Sequence, residues 1–199
     1  MKSNRFTLVV ALLALSAMGF AQSDAQIPAA QSEAQKPNVA AMPTHAQQSF
    51  DVLKTLAGSW NGPVTTFPPQ ADMDGTPTQV TLRVTSRGNA LVHEMKEAGK
   101  PDDPTRYDHP ITMLYLDGDR LLLTHYCDAG NRPRMAARVS PDGKTVEFDF
   151  VDVDGGTEYG HMNHALFTVI DANHHIEDWT YLEPGDKAVR AHLDLQRTK

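Results

Sequence analysis

The chain has one cysteine in 199 residues, Cys127, so no intramolecular disulfide can hold its fold. It has no basic stripe; 18 Lys and Arg stand against 25 Asp and Glu, for a net charge of −7. Nucleic acid and anionic membranes are therefore poor partners. It has no long apolar run. The longest, Phe6 to Leu15, is too short to span a bilayer with the usual tilt. After residue 57 it has no stretch with helical periodicity, so a parallel sheet with crossover helices is not expected. Several chemistry-bearing motifs are missing as well. There is no His-x-His, no Cys-x-x-Cys, no His-Glu-x-x-His and no Gly-x-Ser-x-Gly.

The first 21 residues have the layout of a secretory signal peptide. Lys2 and Arg5 form the positive start, the apolar run follows, and Gly19-Phe20-Ala21 supplies small residues for cleavage after Ala21. No cysteine follows the run, which argues against a lipoprotein anchor. The expected location is the periplasm or the outside, with no membrane anchor after cleavage. Cleavage would remove Lys2 and Arg5 and no acid, leaving 16 basic against 25 acidic residues. Residues 22–47, rich in Ala, Gln, Ser and Pro, bury too little apolar surface to order themselves and read as a flexible tail. Residues 48–199 then form one domain of ordinary single-core size.

Gln48 to Leu56 places Phe50, Leu53 and Leu56 on one side of a short helix that ends near Gly58. Turn signals then recur at a steady beat: Arg87-Gly88-Asn89, Asp117-Gly118-Asp119, Asp128 to Asn131, Pro141-Asp142-Gly143, Asp154-Gly155-Gly156, Asp171-Ala172-Asn173 and Pro184-Gly185-Asp186. They separate about ten strand-length runs, from Ser59–Thr66 to Lys187–Gln196. Alternation is plain in the last run, where Val189, Ala191, Leu193 and Leu195 oppose Arg190, His192, Asp194 and Gln196. The expected fold is all-β: an antiparallel meander of about eight to ten strands, closed into a barrel that leaves no exposed edge.

Leu56-Ala57-Gly58-Ser59-Trp60-Asn61-Gly62 is similar to the Gly-x-Trp opening of lipocalins and other calycins. Leu123 to Cys127, followed by Gly130-Asn131 and Pro133-Arg134-Met135, resembles uncharacterised lipocalin-like exported bacterial proteins. The resemblance covers roughly residues 48 to 197. It implies a cup-shaped barrel, floored by Trp60, that binds a small, largely apolar molecule.

The hairpin Leu123–Met135 concentrates the polar candidates. If Leu121 and Leu123 face inward, so do His125 and Cys127, while Tyr126 faces out. The same phase joins His93 to Leu91 and Met95, and His164 to Met162 and Leu166. Three histidines from three strands are thus expected around one cavity. Arg134, with Arg132, either holds a ligand carboxylate at the mouth or is a surface charge. Trp60, His93, His125, Cys127, Arg134 and His164 are the candidate ligand-binding residues. No catalytic residue and no metal ligand is assigned, and His174-His175 reads as a solvated hairpin tip. On Glu177, Trp179 and Tyr181 the pattern leaves the interior face open.

No cofactor is expected from the motifs. Gly58-x-Trp60-x-Gly62 is also similar to the opening of nitrobindins, barrels that bind haem through one histidine. This keeps haem binding as an alternative, with His164 or His192 as axial ligand, although His192 faces away from the apolar set of its strand. A further alternative is an isomerase or hydrolase using a cavity histidine as base.

Overall fold

The computed structural model describes residues 42–103, 105, 109–140 and 143–198. The expected signal peptide and most of the expected tail lie outside the described residues. One helix precedes ten strands. They are α1 (His45–Lys54), β1 (Gly58–Phe67), β2 (Pro77–Thr85), β3 (Ala90–Glu97), β4 (Ile111–Asp117), β5 (Arg120–Tyr126), β6 (Arg132–Val139), β7 (Thr145–Asp154), β8 (His161–Asp171), β9 (His174–Glu183) and β10 (Lys187–Arg197). Each strand pairs antiparallel with its neighbours in sequence, and β1 closes the barrel against β10. The boundaries match the expected runs to within about two residues, because the turn signals act locally. Between β4 and β5, for example, Gly118 takes a φ of 59° in a two-residue turn that twists with the flanking strands.

The helix starts earlier than its apolar spacing indicates. Thr44 caps it, its side-chain oxygen accepting the backbone N–H of Gln47 at 3.1 Å. Thus residues 45–47, expected in the tail, are helical. The helix buries Ala46, Phe50 and Leu53 in the same core as the barrel wall and packs on β2, β4, β5 and β6.

Directly after α1, the Gly-x-Trp segment shows what each of its residues does. Trp60 is fully buried, and its indole N–H donates to the Leu56 carbonyl at 2.8 Å. The Arg197 guanidinium lies 4.0 Å from the centre of its ring and bonds the carbonyls of Thr55 and Ala57. Gly62 sits where β1 meets β10: a Cβ there would lie 1.9 Å from the Asp194 carbonyl oxygen. This end of the barrel is closed by α1, Leu56 and Trp60. Fully burying each large apolar side chain contributes about 1.5–3 kcal/mol relative to leaving it exposed.

Candidate functional site

The open half of the barrel contains a cavity of about 410 Å³. Its wall is apolar through Val64, Met73, Met95, Met162 and Leu193. Besides Thr76 and Thr78, buried polar groups enter from one row of the wall. His93 of β3 stands directly opposite Thr112 of β4, and Thr112 directly opposite His125 of β5. All three are buried and line the cavity. Nδ1 of His125 is 2.8 Å from the Thr112 hydroxyl. Burial, and then the charge of His93, push His125 down to about 4. Trp179 of β9 reaches both histidines from the facing wall, with ring centres 5.5 Å from His93 and 5.7 Å from His125.

Below this row lies a fully buried carboxylate, Glu177. Its Oε2 accepts from His93 Nε2 at 2.9 Å and from the Trp179 indole N–H at 3.0 Å, and its Oε1 accepts from His175 Nε2 at 3.0 Å. Burial alone would raise its pKa. The neighbouring charge of His93 and the bonds from His175 and His93 outweigh that and hold it far below the usual carboxylate range. His175 in turn meets Trp60 edge-on, ring centres 4.2 Å apart. A polar chain therefore runs from the plugged floor to the cavity.

The sequence-derived candidates fare unequally. His93 and His125 point inward, as the alternation demands, whereas Trp60 is buried in the closed end and does not line the cavity. Cys127 lies one residue past β5 and is half-buried rather than sealed. It lines a second space of about 610 Å³ that shares His125, Met162, Pro110 and Asp128 with the first. Burial raises its thiol pKa above the ordinary value.

His164 is a correction. A bulge between Met162 and His164 inserts an extra residue in β8 and reverses the phase. Met162 lines the cavity, Ala165 and Phe167 are fully buried, and His164 is turned to the outer wall, 2.9 Å from Glu147 Oε1. Arg134 is another. Pro133 and Met135 take the inner face of β6, so Arg134 is exposed and forms a two-pronged pair with Asp152. His192 also stands on the outer wall, bonded to Asp178 at 2.7 Å. Neither histidine considered as a haem ligand faces the barrel interior.

His175 overturns the solvated-tip reading, and Glu177 went unrecognised. One signal pointed to both. Across the Pro184-Gly185-Asp186 turn, Leu193 pairs with Glu177 and Leu195 with His175. Paired residues share a face, so two inward leucines require an inward glutamate and histidine. Asn131, at the end of the Asp128 to Asn131 turn signal, is buried and acts through its side chain, donating to the carbonyls of Gly156 at 2.8 Å and Gly160 at 2.7 Å. It ties the β5–β6 turn to the β7–β8 loop beside the mouth. Among the described residues one cluster has metal-ligand spacing, Glu147, Asp149 and His164. It lies away from the cavity and is occupied by Arg138, which pairs with both carboxylates.

A closed, ten-stranded antiparallel barrel with one plugged end and a histidine-lined cavity is consistent with a calycin-like fold. Among solved structures the chain is similar to that of Rv2717c from M. tuberculosis. The TM-score is 0.52 at 12% identity, over 76% of this chain and 98% of that one. At that identity the likeness shows the fold alone. A protein of unknown function from the DUF3598 family of Nostoc punctiforme matches at 7% identity over 75% of this chain and 99% of that one, with a TM-score of 0.22. No family model matches the chain, and no curated protein matches it.

Proposed function

We propose that this is an exported protein whose barrel binds a small, largely apolar molecule. The observation that carries the reading is the composition of the cavity: about 410 Å³, walled by methionine, valine and leucine, with Thr112 and His125 set into one side. Small-molecule sites have this make-up, mostly apolar with a few placed polar groups. The exported location rests on the signal-like first 21 residues. Binding is preferred to catalysis because a histidine held near 4 is a weak base at neutral pH, where an effective general base titrates close to the working pH.

Native mass spectrometry of protein purified from its own host tests the reading. The expected result is a retained mass of a few hundred daltons, on the order of what the cavity holds, that is lost on denaturation. A companion titration follows tryptophan fluorescence, since Trp179 lines the cavity. Protein that carries no retained mass, and whose fluorescence no apolar compound perturbs, would refute a binding role.

A further inference from the structure

Beside the barrel cavity lies the second space, about 610 Å³, between the β5–β6 turn and the β7–β8 loop. Pro110, Cys127, Ala129, Tyr159, Met162 and Tyr181 give it a mostly apolar lining. The β7–β8 loop that bounds it is held by side chains, where a surface loop is ordinarily free to move. Asn131, 1% exposed, donates to the carbonyls of Gly156 and Gly160 from a single nitrogen, and the Tyr181 hydroxyl donates to the Tyr159 carbonyl at 2.7 Å. A carboxylate of the same shape as Asn131 would have no N–H to give. Gly160 lets the loop close on β9, since a Cβ there would lie 2.3 Å from the Leu182 carbonyl oxygen. Tyr159 nevertheless stays 72% exposed at the edge of this apolar space. A fixed wall that carries an uncovered aromatic side chain has the form of a preorganised binding surface.

The two spaces meet at Pro110, His125, Asp128 and Met162, which line both. Met162 is unbranched and partly buried, so it can swing aside at the boundary. The barrel cavity itself is shallow: its lining runs from His93 to Glu97, about 13 Å along β3. We propose that the second space is an outer subsite and that the ligand is an elongated molecule occupying both spaces. Its apolar inner part lies beside Met95 and Trp179, and an aromatic outer part lies against Tyr159 and Tyr181. Asn131 is a positioning residue for that subsite. This inference rests on the ligand-binding reading above and adds the length of the ligand and the chemistry of its outer end.

Two probes test the assignment: styrene, short enough for the barrel cavity alone, and diphenylhexatriene, a rigid rod with a ring at each end that is longer than the cavity is deep. Styrene is titrated by calorimetry, and the rod is followed by its own fluorescence, which rises in apolar surroundings. Capping Cys127 with N-ethylmaleimide fills the outer subsite, because Cys127 lines that space and not the barrel cavity. The capped protein is expected to bind the rod at least about tenfold more weakly, the loss of one ring's burial, and styrene within about twofold of the uncapped protein. Asn131→Asp should weaken the rod to the same degree, spare styrene, and speed amide exchange in residues 155–160. If that variant does not fold, the capped wild type decides. Rod binding unchanged by the cap, an equal loss for both probes, or no rod binding where styrene binds overturns the outer subsite and leaves the binding reading standing. Wild-type affinity of Asn131→Asp for the rod overturns the positioning role. Failure of both probes on the uncapped protein removes the binding reading as well.

Discussion

Oε2 of Glu177 lies 2.9 Å from Nε2 of His93, a residue 84 positions earlier in the chain. The two strands, β9 and β3, are separated by β10, β1 and β2 around the ring of ten. The contact therefore spans the interior, and it exists only when the barrel is closed. It makes Glu177 a polar position sensitive to substitution.

Truncating that side chain strips His93, His175 and Trp179 of their shared acceptor in a sealed site. Glu177→Ala should cost about 3–5 kcal/mol, the usual penalty for breaking a buried charged network. Urea denaturation followed by far-ultraviolet circular dichroism checks it. Glu177→Gln should cost less, since the amide oxygen still accepts. Equal stability of the alanine variant and the wild type would show that the network contributes nothing net.

Acid should weaken the fold in two stages. His125 titrates near 4 when folded, against an ordinary 6.5, so between those values the unfolded chain takes up a proton that the folded one refuses. Its contribution is complete above 6.5, falls as the pH drops through the window, and is gone below 4. The loss across the window is about 3 kcal/mol. Glu177, held below its ordinary 4.5, adds a further loss as the pH falls beneath that value. Urea midpoints from pH 8 to pH 4 should decline accordingly, and His125→Gln should flatten the upper part of the profile.

Cys127 offers a probe of the mouth. Its thiol is half-buried and its pKa is raised by burial, so little thiolate is present at neutral pH. Maleimide labelling of the native protein should be several-fold slower than in denaturant, in keeping with the small thiolate fraction. A cavity ligand should slow it again, because Cys127 and His125 line the same opening. Native labelling at the denatured rate would place the thiol outside it.

Gly62→Ala tests the closing seam. The added methyl would meet the Asp194 backbone carbonyl, which cannot swing aside as a flexible side chain could. The expected loss is about 1–3 kcal/mol or more, as for other overpacked sites. Hydrogen exchange should localise the damage to β1 and β10. Protection of those strands equal to wild type would mean the seam can absorb the methyl.

What the chain determined without its structure is whatever depends on neighbours in sequence. Turn residues such as Gly118, and alternation such as Leu193-Asp194-Leu195, placed ten strands and their ends, and the Gly-x-Trp segment placed the plug. His93 and His125 were legible because unbroken alternation ties them to leucines two residues away. The tertiary structure decided the rest. His164 was misread because the extra residue at the bulge in β8 leaves no mark in an alternating string. Arg134 was ambiguous because inward and outward arginines look alike until Pro133 and Met135 are seen to claim the interior. His175 read as solvated, and the face of Glu177 stayed open, because burying a charge is costly in isolation. Only closure of the barrel brings His93, His175 and Trp179 around the carboxylate and offsets that cost.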